Sequence, residues 1–324
     1  MVTACLLNSH RWLHARLTED ATDSATVTWT GEPAAAQVVI YPVPLWHDPD
    51  APQRLHALRP DVWPRMFLYS QDDSPVLWAP GVFASVPAGH PDATRARGGF
   101  YVYHTHYEPE HATALVPRPD AEPELLWSFV GSVATCPAVR GALVALGDER
   151  AHTVDTAGWN DHHRWQFEGP GRAGRSEALR SYAETLHRAK FVVCPRGEGL
   201  SSVRLFETMR VGRCPVIVSD GWTPPPLVDW ESCAIRVAQR DVRHLPAMLR
   251  EREHEAAALG REARAVWERR YSPAAMLDTL VQSCLDIDPA QRRGGHRLRM
   301  TARSALSRST ARKAKLGVRR VLGR

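Results

Sequence analysis

From Leu125 onward the chain alternates short apolar runs with helical stretches, and that alternation restricts the fold more than any other feature. Leu125–Val130, Phe191–Cys194, Cys214–Ser219 and Cys233–Val237 are largely apolar runs without a polar face. Pro137–Leu146, Glu177–Lys190, Ser202–Val211, His254–Arg270 and Pro273–Ile287 carry helical patterning. A strand that is apolar on both sides must be covered on both sides, and helices between such strands produce a parallel sheet wound on both faces. The expected fold class is α/β, with a doubly wound parallel sheet in the C-terminal half. Ligands of such sheets bind at the carboxyl ends of the strands. The loops after Val130, Cys194 and Ser219 should therefore surround one crevice.

Upstream the texture differs. Runs such as Gln37–Tyr41, Arg65–Tyr69 and Phe100–His104 read as strands between Pro- and Asp-containing turns, and helical patterning is weak. The Pro-rich stretch Pro117–Pro123 reads as a linker, which predicts an N-terminal domain over 1–123, a C-terminal domain over 124–288 and a tail over 289–324. The six cysteines are scattered with no C-x-x-C pair, so neither a disulfide framework nor a zinc site is indicated.

Charge separates the tail from the body. Pro289–Arg324 holds 12 Lys or Arg and no acidic residue, which leaves 29 basic against 36 acidic side chains in the remainder. A cationic tail interspersed with Leu298, Leu306, Leu316, Val321 and Leu322 suits an anionic membrane surface. It equally suits a solvated tail, whereas the acidic body argues against nucleic acid. No apolar stretch reaches the roughly 18 residues that span a bilayer, and the N-terminus lacks a secretory pattern. The expectation is a cytoplasmic protein, peripheral at the inner face of the plasma membrane through its tail.

One segment carries recognisable chemistry. Phe191–Cys194 reads as a buried strand, and Pro195-Arg196-Gly197-Glu198-Gly199-Leu200-Ser201-Ser202 as a glycine-containing loop entering a helix. Strand, loop and helix N-terminus leave backbone N–H groups and the positive helix end directed at an anion. On the helix, Leu205, Phe206 and Met209 share one face, and Arg204 and Glu207 fall together opposite. Arg196 and Arg204 can meet a diphosphate through charge-assisted hydrogen bonds, and Glu207 can accept from a ribose diol. The competing reading is a surface ion pair between Arg204 and Glu207 beside an ordinary turn.

The stretch PRGEGLSSVRLFETMRVGRCPVIVSDGWTPPPLVDW, Pro195 to Trp230, resembles the signature of exostosin-type glycosyltransferases, family 47. Weaker similarity extends back to Ser128-Phe-Val-Gly-Ser132 and Val139-Arg140, and the N-terminal half resembles the family poorly. The resemblance implies a GT-B architecture of two Rossmann-like domains facing a cleft, the C-terminal one holding a nucleoside-diphosphate sugar, UDP-linked, with inversion at the anomeric carbon. It implies donor-binding roles for Arg196, Gly197, Ser202, Arg204 and Glu207, with Gly131 and Arg140 on the phosphate side. Arg213 departs from the small residue usual after the glycine turn. The implied acceptor is a glycan or lipid-linked hydroxyl. A fucosyltransferase-like enzyme and a non-catalytic nucleotide-sugar or glycan binder are the alternatives.

Inverting transfer also needs a base to deprotonate the acceptor. Asp72 and Asp73, after the run Arg65–Tyr69, are the first candidates, and His104 and His106 the second. His104, His106 and Glu108 lack a distant fourth ligand, so no metal is expected there. No tightly bound cofactor is expected, and divalent-cation dependence stays open. Trp46, Trp63 and Trp78 can stack on a sugar, although core packing suits them better. His162 and His163 lie in a polar segment, 156–174, expected as a loop.

Overall fold

The protein is described by a computed structural model over residues 1–8, 11–18, 24, 26–43, 62–73, 75, 77, 79–90, 93–102, 114–118, 122–156 and 169–288. It forms two compact units. One comprises Met1–Phe100, Gly221–Leu227 and Pro273–Arg324, and the other Tyr101–Asp220 and Val228–Ser272.

The first unit is built on β1 (Val2–Leu6), β2 (Val27–Trp29), β3 (Val38–Val43), β4 (Met66–Ser70), β5 (Gly81–Phe83) and β6 (Ala96–Gly98). They pair in the order β2-β1-β3-β4-β5-β6, and every pair is parallel. Helix α1 (Arg11–Thr18) lies in the connection from β1 to β2. Every residue of β4 is buried, as expected of a central strand covered on both faces. The run expected as a strand at Phe100–His104 is not in a strand over its described residues, Phe100, Tyr101 and Val102, and the other two lie outside the described residues. The ladder ends at Gly98, where a Cβ would come within 2.4 Å of the Pro224 carbonyl. The chain meets another backbone there instead of a further strand, and the Phe100 carbonyl accepts the Tyr69 hydroxyl at 2.9 Å.

The second unit carries β7 (Leu125–Gly131), β8 (Ala151–Asp155), β9 (Ala189–Pro195), β10 (Cys214–Val218) and β11 (Ile235–Arg236). These too are all parallel, in the order β11-β10-β9-β7-β8. Its helices are α2 (Ala142–Ala145), α3 (Gly169–Arg188), α4 (Val203–Val211), α5 (Leu245–Glu251) and α6 (Ala256–Arg270). Trp127, Phe129, Phe191, Val193, Val216 and Leu143 are among the side chains of its core. Strand order reverses between β7 and β9, and doubly wound sheets bind ligands at that switch point, beyond the carboxyl ends of the strands. The edge is well defined: Gly131 pairs with Asp155 and Pro195 with Val218, while Ser128 pairs with Val192 three residues earlier. Helix α3 starts at Gly169, inside the segment expected as a loop to residue 174.

The division of the chain differs from the expected break near Pro123. It falls after Phe100, and the chain returns to the first unit twice. Gly221–Leu227 joins that unit because Trp222 Nε1 donates to the Ala84 carbonyl at 3.0 Å and Ala88 N–H donates to the Gly221 carbonyl at 2.6 Å. The last helix, α7 (Met276–Leu285), joins it by burying Leu277, Leu280 and Val281, and the following Asp286 pairs with Arg97. Among the described residues no helix is long and apolar enough to cross a membrane.

Candidate functional site

Helix α4 begins at the carboxyl edge of the second sheet. Ser202 is its N-cap in extended conformation, with no side-chain cap bond, and the helix ends at Gly212 with φ of 76°. That left-handed turn, which glycine adopts without steric cost, lets Arg213 N–H donate to Thr208 O at 3.1 Å and feeds the chain into β10. The loop before the helix is pinned at both sides. Arg196 N–H donates to Val218 O at 3.0 Å, and Ser219 Oγ to Leu200 O at 2.6 Å.

The helix is buried far beyond its apolar stripe: Arg204, Glu207 and Thr208 are buried along with Leu205, Phe206, Met209 and Val211. Arg204 is 9% exposed and Glu207 4%. Among the described residues Arg204 has no ion-pair partner, which removes the surface-pair reading. Its Nη2 donates to the Val130 carbonyl, while Nε and Nη1 are buried without any hydrogen-bond partner. A buried donor left unmade costs about 1–3 kcal/mol. The Phe129 ring, 4.9 Å from the guanidinium carbon, compensates part of this. Gly131 permits the approach, because a Cβ there would stand 2.4 Å from Arg204 Nη2. Ser132, next in the chain, is 5% exposed and has a buried, unpartnered Oγ. A guanidinium with two open donors against Gly131, and an unpartnered serine hydroxyl on the next residue of the strand edge, are groups suited to an anion at a switch point.

Arg140 has a different place. It sits on a π-helical turn, Pro137–Gly141, that directs it inward. Nη1 donates to Ser132 O at 3.0 Å, Nε to Arg196 O at 2.8 Å and Nη2 to Pro195 O at 3.3 Å. All three nitrogens hold backbone carbonyls, so Arg140 ties the loop after β7 to the loop after β9. Gly197 packs beside it, with a Cβ position 3.0 Å from Arg140 Nη2. The Arg196 guanidinium turns back on its own loop, donating to Gly197 O at 3.4 Å and Glu198 O at 3.1 Å. The carboxylate of Glu207 accepts a short hydrogen bond from the Tyr182 hydroxyl of α3. Burial first, and the Glu207 charge second, push the Tyr182 pKa well above the usual tyrosine range, so the phenol is the donor.

All seven donor candidates thus belong to the second unit, grouped along β7, β9, α4 and the π turn. Asp72 and Asp73 belong to the first unit, just beyond the carboxyl end of β4; Asp72 is half-buried, with its N–H donating to Ser70 Oγ at 3.2 Å, and Asp73 is exposed. His104, His106, Glu108, His162, His163, Trp46, Trp78 and the tail lie outside the described residues, as does the Trp63 side chain. Among the described residues no group of three potential ligands gathers for a metal. Sequence reasoning missed Phe129 and Tyr182. Phe129 stood two residues before the glycine already singled out; Tyr182 had no local signal, since its partner is 25 residues away.

Residues 99–252 match the exostosin GT47 domain, a span that contains every donor candidate and excludes Asp72 and Asp73. This segment is similar to exostosin-type glycosyltransferase domains. An exostosin-1 homolog of Caenorhabditis elegans is 44% identical to this chain over 70 residues, which is 21% of this chain and 18% of that protein. Exostosin-1 of Bos taurus is 28% identical over 129 residues, 38% of this chain and 17% of that protein. The matched part of the chain thus spans less than a fifth of these relatives' length. A solved glycosyltransferase structure from Rickettsia africae overlaps 90% of this chain and 99% of its own, at 8% identity and a TM-score of 0.41.

Proposed function

We propose that the chain is an inverting glycosyltransferase of GT-B type, which moves a sugar from a nucleoside diphosphate, UDP first among the candidates, to a hydroxyl of a glycan or lipid-linked acceptor. The observation that carries this reading is Arg204: a buried guanidinium with two nitrogens unpartnered among the described residues, beside Gly131 at the switch point of a parallel sheet. A leaving diphosphate develops negative charge as the glycosidic bond breaks, and fixed donors in a dry site stabilise it without reorganising. Arg204 Nε and Nη1, the Ser132 hydroxyl and the N-terminus of α4 are those donors. Glu207, one turn further along α4, is the acceptor for the ribose hydroxyls. Arg140 keeps the two loops that frame the diphosphate in register.

Transfer with inversion requires a base to deprotonate the acceptor hydroxyl, and in this reading Asp72 or Asp73 is the candidate for it. The tail over 289–324 holds the enzyme against an anionic membrane surface, where lipid-linked acceptors are found.

A thermal-shift panel of UDP, GDP, ADP and their sugars on wild type and Glu207→Ala tests the proposal. A ligand at 100 times its dissociation constant stabilises by about 2.7 kcal/mol. One diphosphate raising the melting temperature of wild type, and not of the variant, supports the reading; no response to any of them overturns it. Binding with no turnover of the matching sugar nucleotide would favour a non-catalytic binder.

A further inference from the structure

We infer that Tyr182 is a specificity-determining positioning residue, whose hydroxyl orients the Glu207 carboxylate so that the site selects a ribonucleotide over its 2′-deoxy counterpart. The inference rests on the donor-site reading above. It starts from a contact that no motif contains: Tyr182 of α3 donates to Glu207 Oε2 of α4. The two helices pack on the same parallel sheet, so the hydrogen bond joins elements from different parts of the chain.

A carboxylate offers about four lone-pair sites on two oxygens and rotates freely about its last bond when nothing holds it. To recognise a cis-diol it must present a fixed plane, because both hydroxyls are read at once. A short bond from the Tyr182 phenol restrains that plane from one side and takes up one lone pair of Oε2. Glu207 is 4% exposed, so its orientation is set by protein groups and not by bulk water. The phenol stays protonated, held so by burial and by the neighbouring Glu207 charge. It therefore cannot repel the carboxylate. Arg204 lies near enough to act electrostatically on the same phenol, which places the diphosphate candidate and the ribose candidate around one side chain.

A merely structural tyrosine would support folding and leave ligand selectivity alone. The test is titration calorimetry of the full chain with UDP, GDP and ADP, each against its 2′-deoxy form, on wild type, Tyr182→Phe, Glu207→Gln and the double variant, with thermal unfolding to verify that each is folded. Losing a hydrogen bond to a charged group costs about tenfold in affinity, so wild type should prefer the ribonucleotide by about that factor. Tyr182→Phe should bring the preference close to unity, and adding it to Glu207→Gln should change nothing more. A preference that survives Tyr182→Phe but disappears in Glu207→Gln overturns the role of Tyr182 and leaves the donor site standing. No ribose preference in wild type, or no binding at all, overturns both. Should Tyr182→Phe fail to fold, the Glu207→Gln and Glu207→Asp ratios decide: an aspartate too short to reach the phenol should lose selectivity as the glutamine does, and one that keeps it overturns the inference.

Discussion

The guanidinium carbon of Arg204 stands 4.9 Å from the centre of the Phe129 ring, and its Nη2 donates to the carbonyl of Val130, the next residue on the same strand. One strand thus supplies both attachments of a cation that arrives from another helix. A desolvated cation–π contact contributes about 2 kcal/mol, whereas two unpartnered buried donors together cost more than that. The side chain is held in place while two of its nitrogens have no hydrogen-bond partner among the described residues.

Arg204→Met should therefore separate stability from binding. Replacing a buried, poorly satisfied charge by an apolar chain of similar length should change unfolding free energy by less than about 1 kcal/mol or raise it. Affinity for the nucleoside diphosphate should drop at least about tenfold. Urea denaturation and calorimetry read the two quantities; a destabilisation beyond about 3 kcal/mol would make Arg204 a structural residue.

Gly131→Ala should displace Arg204 without touching it covalently. The new methyl would sit 2.4 Å from Nη2 in a packed edge, so the guanidinium must move or the strand must shift. Overpacking of this kind costs about 1–3 kcal/mol. Diphosphate affinity should fall with stability, and pairing the change with Arg204→Met should recover most of the lost stability, because the flexible thioether yields. Absence of that recovery in the double variant would place the clash elsewhere.

Acid should weaken the second unit through Glu253. Its carboxylate accepts from Arg150 at 2.5 and 2.9 Å and from Lys190 at 2.7 Å, which holds its folded pKa at about 2. An unfolded glutamate titrates near about 4.3. The folded pKa is the lower one, so the contribution is fully present above the unfolded value and is lost as pH falls from there through about 2. Glu253→Gln should lower stability at pH 7 and flatten the decline between pH 5 and pH 2. An unchanged acid slope in that variant, followed by circular dichroism, would assign the acid sensitivity to other groups.

Removal of the tail should act on location and leave the donor site intact. A chain ending at Asp288 should lose recovery on vesicles containing phosphatidylserine at low salt, and should bind nucleoside diphosphate as the full chain does. With 12 basic residues removed, the remaining charge is net negative and repelled by such a surface. Equal recovery of both chains in a sedimentation assay would exclude the tail as the membrane contact.

Much of the second unit could be read in the sequence because its cause is local. The apolar runs over β7, β9 and β10 and the helical stretch over α4 appear within a residue or two of where the structure has them. The glycine-containing loop between β9 and α4 likewise sits where strand and helix signals met. β8 escaped notice, since Ala151–Asp155 is only half-buried at the sheet edge and has no run of apolar residues to reveal it. The break between units escaped for another reason. Prolines at 117–123 mark a place where the backbone is stiff, whereas unit membership follows which core a segment buries into; Trp222 and Leu280 bury in a core formed more than a hundred residues earlier.

The candidate site divides along the same line. By itself the sequence determined the chemistry at hand, namely a strand–loop–helix unit with Arg204 and Glu207 one turn apart, because helical periodicity and glycine position are short-range properties. Tertiary structure alone decided which partners each group meets. It committed the three nitrogens of Arg140 to backbone carbonyls, left two nitrogens of Arg204 without a partner among the described residues and brought Tyr182 to Glu207. Hydrogen-bond satisfaction depends on which carbonyls and rings happen to lie within about 3 Å after the sheet has assembled, and no spacing along the chain encodes that distance.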